Sequence, residues 1–392
     1  MLFRSASLGR LLALPGAPLL LPLPTFDALG FAGRLRPLVA ALTGGWLAGG
    51  WIVSDTALGF SWYEAELFAT WPISRVDPRV TTVANAPPGV KCDFHDVDVL
   101  DDRVVVTAEG QGRLLSFPKE GGEPASWPLA PQWGPSNGLT MDSETVGART
   151  YFLAGPQSVE ALDWSGGWSK GATSPPIAGE LHHVYLAHVP ERSSIFVLTV
   201  GTQNMAHVPT LLELPLDLSM LRHATLHLPD GARPPTVRDF AWVPTSKRFV
   251  LAPDFGDRLY VLDPDSGLVT PWIEVPALDG RVVWVPGLER ILLPLPNRPE
   301  IWLIDPKTGG VERIPTQPGV RTAAIDVERR LLLTASLLTG QVLVQRLDGS
   351  IVDHFGTLMP MVRNLVLDTA RGEAWLSTWT ALYRIPYAPV AE

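Results

Sequence analysis

Cysteine is nearly missing from this chain. One residue, Cys92, in 392 excludes an internal disulfide framework and any cysteine-cluster metal centre, and leaves the redox compartment open. Basic charge is also short: 31 Lys and Arg stand against 40 Asp and Glu, a net −9, with no Lys/Arg block. Such a chain offers no basic field for DNA or RNA, so nucleic acid is not an expected partner. No P-loop, dinucleotide fingerprint, nucleophile elbow or HExxH motif occurs, which removes the usual support for phosphate, nicotinamide, serine-hydrolase and zincin mechanisms. A haem or quinone redox protein lacks any attachment signature. What is plentiful is Pro (38) and Gly (35), against a background that is 46% hydrophobic. Proline removes helix donors and glycine raises the entropy of ordering, so a turn-rich all-β fold with a sizeable core is expected.

Residues 1–60 differ from the rest. Arg4 and Arg10 precede an apolar run, Leu11 to Leu23, broken by Pro15, Pro18 and Pro22, too short for a spanning helix. A second run, Pro37 to Ser54, carries no charge for 18 residues, about the minimum that crosses a bilayer core. Gly45 and Gly49 inside it form a GxxxG pair suited to close helix approach in lipid. Arg34 and Arg36 precede the run and Asp55 follows it, which places the bulk of the chain outside the cytoplasm, periplasmic or extracellular. The competing reading is a Gly-rich apolar segment packed on the globular body, or the remnant of a larger membrane domain.

A repeat of about 42 residues runs through the remainder. Polar residues followed by apolar ones recur at His95-Asp96, Ser136-Asn137, His182-His183, Arg238-Asp239, Gly280-Arg281, Arg321-Thr322 and Arg363-Asn364, in steps of 41, 46, 56, 42, 41 and 42. About ten residues after each comes an apolar strand, such as 248–251 or 290–293. A third strand follows, 258–263 or 300–305, then a turn and a short fourth strand, 269–275 or 311–314. Four antiparallel strands per unit, repeated seven times, describe a seven-bladed β-propeller. The last unit lacks a fourth strand, and residues 77–83 read as the missing partner, an N-terminal strand closing the ring. The long step is expected to hold an insertion around 203–235. The domain reading is 1–60 apolar segment with candidate transmembrane helix 37–54, 61–76 linker, 77–387 propeller and 388–392 tail.

The phrases Tyr260-Val261-Leu262-Asp263-Pro264-Asp265-Ser266-Gly267 and Trp302-Leu303-Ile304-Asp305-Pro306-Lys307-Thr308-Gly309 resemble the strand-turn repeat of YVTN/NHL-type propellers. That resemblance spans residues 77–387 and implies that the leading polar pairs converge at one mouth of a central channel, joined there by Glu109, Asp254, Asn297 and Arg298 from neighbouring loops. Only one member of each pair points inward, because strand side chains alternate; which one stays open. Asn137-Gly138-Leu139 is similar to the strand start that supplies a metal ligand in senescence-marker/gluconolactonase-type lactonases. On that likeness Asn137 and Asp239, with Asp96 or Glu109, would hold a divalent Ca or Zn ion, and His95 or His183 would serve as base.

Two functions follow as expectations. Arg238, Arg281, Arg321 and Arg363, with Asn364 and Arg298, form an Arg-bearing face whose guanidinium forks suit carboxylate or phosphate. The leading expectation is therefore a membrane-anchored binding propeller that recognises a protein partner or an anionic small molecule. The alternative is a metal-dependent lactonase or esterase at the channel mouth. Against both stands the reading that these polar residues tie blade to blade, since buried polar groups must find partners. Trp127, Trp133, Trp164 and Trp168, in or beside turns, are candidates for exposed contact sites.

Overall fold

The computed structural model describes residues 77–389 apart from 87–93, 109–110, 129–141, 156–157, 165–168, 178–183, 200–209, 254–255, 277–280, 297, 338–339, 358–361 and 379. The candidate membrane helix 37–54 lies outside the described residues, among which no helix is long and apolar enough to cross a membrane.

Alternating apolar runs bounded by Pro, Gly and Asp turns build seven four-stranded antiparallel sheets. Their innermost strands are Phe94–Val99, Ser143–Val146, Val184–Val189, Val237–Val243, Val283–Val285, Val320–Asp326 and Val362–Asp368, which define blades 1 to 7. Inner strands pack side by side from blade 1 round to blade 5. The second strand of blade 5 meets the inner strand of blade 6, and those of blades 6, 7 and 1 follow in turn. The fold is thus an all-β, seven-bladed propeller around a central channel. Thr81–Asn85 lies antiparallel to Ala381–Pro386 at the outer edge of blade 7, Thr81 opposite Arg384 and Asn85 opposite Ala381. Beside it Arg79 pairs with Asp77 and, at 2.6 Å, with Asp353 of blade 6, and lies over the Phe355 ring at 4.3 Å.

The turns that carry the repeat have a common chemistry. Asp263 Oδ1 accepts from the N–H groups of Asp265 and Ser266, and Asp305 Oδ1 from those of Lys307 and Thr308. Gly267 and Gly309 then take φ of 75° and 72°, the left-handed conformation that glycine adopts without a Cβ clash.

Seven apolar clusters fill the seven seams between neighbouring blades. At the blade 3–blade 4 seam, for example, Phe249 stacks at about 5 Å against Phe196, Phe240 and Trp242. The seam between blades 1 and 2 is the thinnest among the described residues: five buried apolar side chains, Val105, Leu114, Phe152, Leu162 and Trp164, against eight to fifteen elsewhere. Burying an apolar side chain contributes roughly 1.5–3 kcal/mol, so this seam has the weakest apolar adhesion.

Three expectations need correction. Blade 2 starts at Ser143, several residues beyond Asn137, which lies outside the described residues. The range 203–235 is not one insertion, because it contains the third and outer strands of blade 3, Thr210–Pro215 and Arg222–Thr225, and a connection whose His227 bridges Leu268 of blade 4. Trp164 is buried, its Nε1 donating to Thr150, and Trp127 is a half-buried strand residue, so neither is an exposed contact. Trp133 and Trp168 fall outside the described residues.

Candidate functional site

The inner strands of blades 4, 6 and 7 open with a one-residue bulge, and the extra residue is an arginine each time: Arg238 between Val237 and Asp239, Arg321 between Val320 and Thr322, Arg363 between Val362 and Asn364. Blade 1 has the same irregularity across His95 and Asp96. A bulge frees an N–H from the ladder and re-aims the side chain. In blades 1 and 7 the freed N–H is recovered locally, Asp96 donating to Thr107 Oγ1 and Asn364 to Ser377 Oγ. The residue after the bulge faces the axis.

Those axial side chains meet. Arg281 of blade 5 reaches across the channel to Asp96 of blade 1 at 3.2 Å and to Asp142 of blade 2 at 4.0 Å, and lies in the field of Asp239 of blade 4 and Tyr185 of blade 3. Asn364 of blade 7 donates to the same oxygen of Asp96, Oδ1, that Arg281 approaches. Six of the seven blades therefore contribute to one layer. Each aspartate also accepts a backbone N–H from the following blade: Asp96 from Ser143 at 3.1 Å, Asp142 from Leu186 at 2.7 Å, Asp239 from Val282 at 2.9 Å.

Two residues along each strand lies a second layer, since side chains with period two share a face. Asp98 and Glu144 stand there, half-buried. Ser143 bridges the layers, its N–H on Asp96 and its hydroxyl on Asp98 at 2.7 Å. Glu144 accepts the backbone N–H of His188 in blade 3.

Burial dominates the charge states. Together with Asp96 it pushes Asp98 up to about 8, and it raises Asp142 well above the usual carboxylate range. Glu144 rises by burial and by Asp98 and Asp96 beside it. Asp239 is pushed by burial to about 6, against the pull of Arg281 and of the Val282 and Phe240 N–H groups. For Arg281 burial works against the charge, but Asp96, Asp239 and Asp142 outweigh it and raise its pKa.

Of the residues singled out from the sequence, Asp96, Asp239, Arg281 and Asn364 come together at the axis. His95 is buried at the blade 1 bulge, and its carbonyl accepts from Ser377 of blade 7. Arg321 and Arg363 occupy bulges of adjacent blades. Arg298 stands apart, exposed in the turn after Arg290–Leu295. His183, Asn137 and Glu109, with Asp254 and Asn297, lie outside the described residues, as does the side chain of Arg238. Among the described residues no group of three or more His, Cys, Asp or Glu is arranged to hold a metal ion. Asp98, Asp142 and Glu144 were not anticipated. Their signal is the pair of acidic residues two apart on an apolar strand, Asp96-Val97-Asp98 and Asp142-Ser143-Glu144.

No protein-family model matches the sequence, and no curated protein matches it. Solved structures do match in fold. Virginiamycin B lyase from Staphylococcus aureus is 12% identical, with a TM-score of 0.56 over 78% of this chain and 98% of that one. A catalytically inactive histidine-to-alanine variant of that enzyme with quinupristin is 10% identical, with a TM-score of 0.58 over 78% and 98%. A streptogramin B lyase is 11% identical, with a TM-score of 0.57 over 79% and 99%. At this identity the likeness is one of fold, and the resemblance to YVTN/NHL-type propellers holds at that level.

Replacing Arg281 strands three carboxyl groups around an empty axis. Arg281→Met is expected to lower unfolding free energy by about 3–5 kcal/mol, and Arg281→Lys to recover only part of it, since an ammonium cannot fork between Asp96 and Asp142. Denaturant titration checks this; a methionine variant within ~0.5 kcal/mol of the parent would remove Arg281 from the structure's supports.

Proposed function

We propose that this propeller binds an anionic ligand, a small molecule bearing carboxylate or phosphate, over the Arg281 layer at the channel mouth. The observation that carries this reading is the convergence of side chains from six blades in one layer around the Arg281 guanidinium, which keeps 20% of its side chain exposed. Burial and neighbouring carboxylates raise Asp98, Asp142 and Glu144 above the usual carboxylate range, which disfavours their charged forms and lessens their competition with an anionic guest. Arg281 stands in that layer, and Arg321 and Arg363 occupy the inner-strand bulges of blades 6 and 7 beside it, so guanidinium groups near the mouth favour an acceptor-rich guest. An acidic side chain of a protein partner presents the same chemistry. The likeness to virginiamycin B lyase and streptogramin B lyase contributes the fold to this reading and no residue. A metal-dependent lactonase or esterase would need Asn137 and Glu109 beside Asp96 and Asp239, and metal analysis of the purified protein separates it from simple anion binding.

We further propose that residues 37–54 hold the propeller at the outer face of a membrane, supported by their uncharged length and by Arg34 and Arg36 before them. The pairing of Thr81–Asn85 with blade 7 supports a role for that strand in latching the ring.

Citrate and inorganic phosphate are the probes for the ligand. Either should bind the full chain by calorimetry, and Arg363→Gln should weaken binding roughly tenfold or more; no binding, or equal binding by the variant, contradicts the reading. Two truncations test the anchor and the latch together. A chain starting at residue 56 should leave the membrane fraction with its melting temperature intact, whereas one starting at residue 87 should melt several degrees lower. Retention of the first on membranes, or an unchanged melting temperature in the second, would remove the corresponding proposal.

A further inference from the structure

Five carboxyl groups, Asp96, Asp98, Asp142, Glu144 and Asp239, gather at the axis, and the Arg281 guanidinium reaches Asp96 at 3.2 Å and Asp142 at 4.0 Å. Carboxylates packed this closely cannot all ionise, because each added charge meets like charges in a medium that screens weakly. Four of the five belong to blades 1 and 2, and they face each other across the seam that has the fewest buried apolar side chains among the described residues. Ser143 and Thr145 of blade 2 tie that seam to blade 1 at the axis, Ser143 with its N–H on Asp96 and its hydroxyl on Asp98, and Thr145 with its hydroxyl on Asp98. Elsewhere the second layer is uncharged: Ala187, Ala241, Val283, Ala324 and Val366 stand at the matching positions of blades 3 to 7.

We propose that the blade 1–blade 2 seam is a proton-operated latch: while Asp98 and Glu144 keep their protons the two inner strands stay together, and loss of those protons sets like charges on the two strands against one another, loosening this seam before the rest of the ring. The groups that bear on Asp98 are Asp96 on its own strand, Glu144 and the Ser143 and Thr145 hydroxyls of blade 2, and Arg281 of blade 5; Asp142 of blade 2, Tyr185 and His188 of blade 3, Asp239 of blade 4, and Arg321 and Arg363 of blades 6 and 7 lie on the inner strands around the same channel or at their starts. Among the charged groups, Arg281 is the one that compensates Asp98, with the two hydroxyls acting in the same sense. The direction of the effect follows from linkage. Asp98 holds its proton to about pH 8 when folded and to an ordinary acidic pH when unfolded, so the folded state binds more protons between those limits. The stability it contributes is fully present below the ordinary carboxylate range, falls as pH rises, and levels off above about pH 8. Carboxylates held low by partners, such as Asp326 and Asp353, act in the opposite sense, but only in acid below that window. No ligand is needed for this latch.

The test is unfolding of the purified full chain from about pH 5 to about pH 9. The unfolding constant should rise up to about tenfold per pH unit for each retained proton, then level. Asp98→Asn, which keeps the shape and cannot ionise, should make the slope shallower by about one proton, and Glu144→Gln should do likewise. A parent whose stability is flat or rises over this window, or an Asp98→Asn slope equal to the parent's, overturns the latch. Hydrogen exchange of the unmodified chain decides the matter even if the variants fail to fold. Protection, corrected for the intrinsic pH dependence, should drop with rising pH in 94–99 and 143–146 while 320–326 holds. A uniform change across all three, or none, overturns it.

Discussion

One positive charge, the Arg281 guanidinium, sits where carboxylates from the far side of the ring converge, and the geometry of the channel follows from keeping it there. Blade 5 is three steps from blade 1 by way of blades 6 and 7 and four by way of blades 4, 3 and 2, so the 3.2 Å contact with Asp96 crosses the axis. A buried ion pair of this kind adds little net stability, because desolvation cancels much of the attraction, yet it is costly to break from one side. The pairing therefore selects one arrangement of blades over alternatives more than it deepens the well. Asn364 and Ser143 fill the remaining acceptor positions of Asp96, so a carboxylate with 2% exposure is satisfied from blades 7, 2 and 5 together.

Apolar seams and polar axis divide the labour. Phe249 among three aromatic rings and the fifteen-residue cluster around Phe355 and Tyr383 supply adhesion between blades 3 and 4 and between 6 and 7. Where that adhesion is thin, between blades 1 and 2, the polar axis is densest. The two facts make one region of the ring both electrostatically loaded and weakly glued. The same crowding of carboxyl groups makes the seam responsive to protons, because each ionisation adds a like charge to the two adjacent strands.

Much of this was legible in the sequence. The 42-residue period, the Asp-Pro-x-x-Gly turns and the second strands announced themselves because each is a local pattern repeated several times: residues 248–251 and 290–293 begin the strands Arg248–Pro253 and Arg290–Leu295. The axial layer was only half legible. Arg238, Arg321 and Arg363 stand out as residues, but a bulge shifts the strand register by one and hands the axis to Asp239, Thr322 and Asn364, which no alternation rule foretells. In blade 2 the Asn137-Gly138-Leu139 tripeptide drew the start of the blade forward, so Asp142 and Glu144 were passed over although they echo Asp96 and Asp98 at the same two-residue spacing. Burial and mutual repulsion, which set the charge states of these groups, depend on which blades are neighbours and have no signature along the chain.

A double-mutant cycle on Arg281 and Asp96 tests the central claim most directly. Arg281→Met and Asp96→Asn are each expected to destabilise the chain, and the double variant to lose about 2 kcal/mol less than the sum of the two, because removing both charges leaves neither stranded. Losses that add to within ~0.5 kcal/mol would show that the two side chains do not depend on one another, and the account of a ring organised around that charge would not stand.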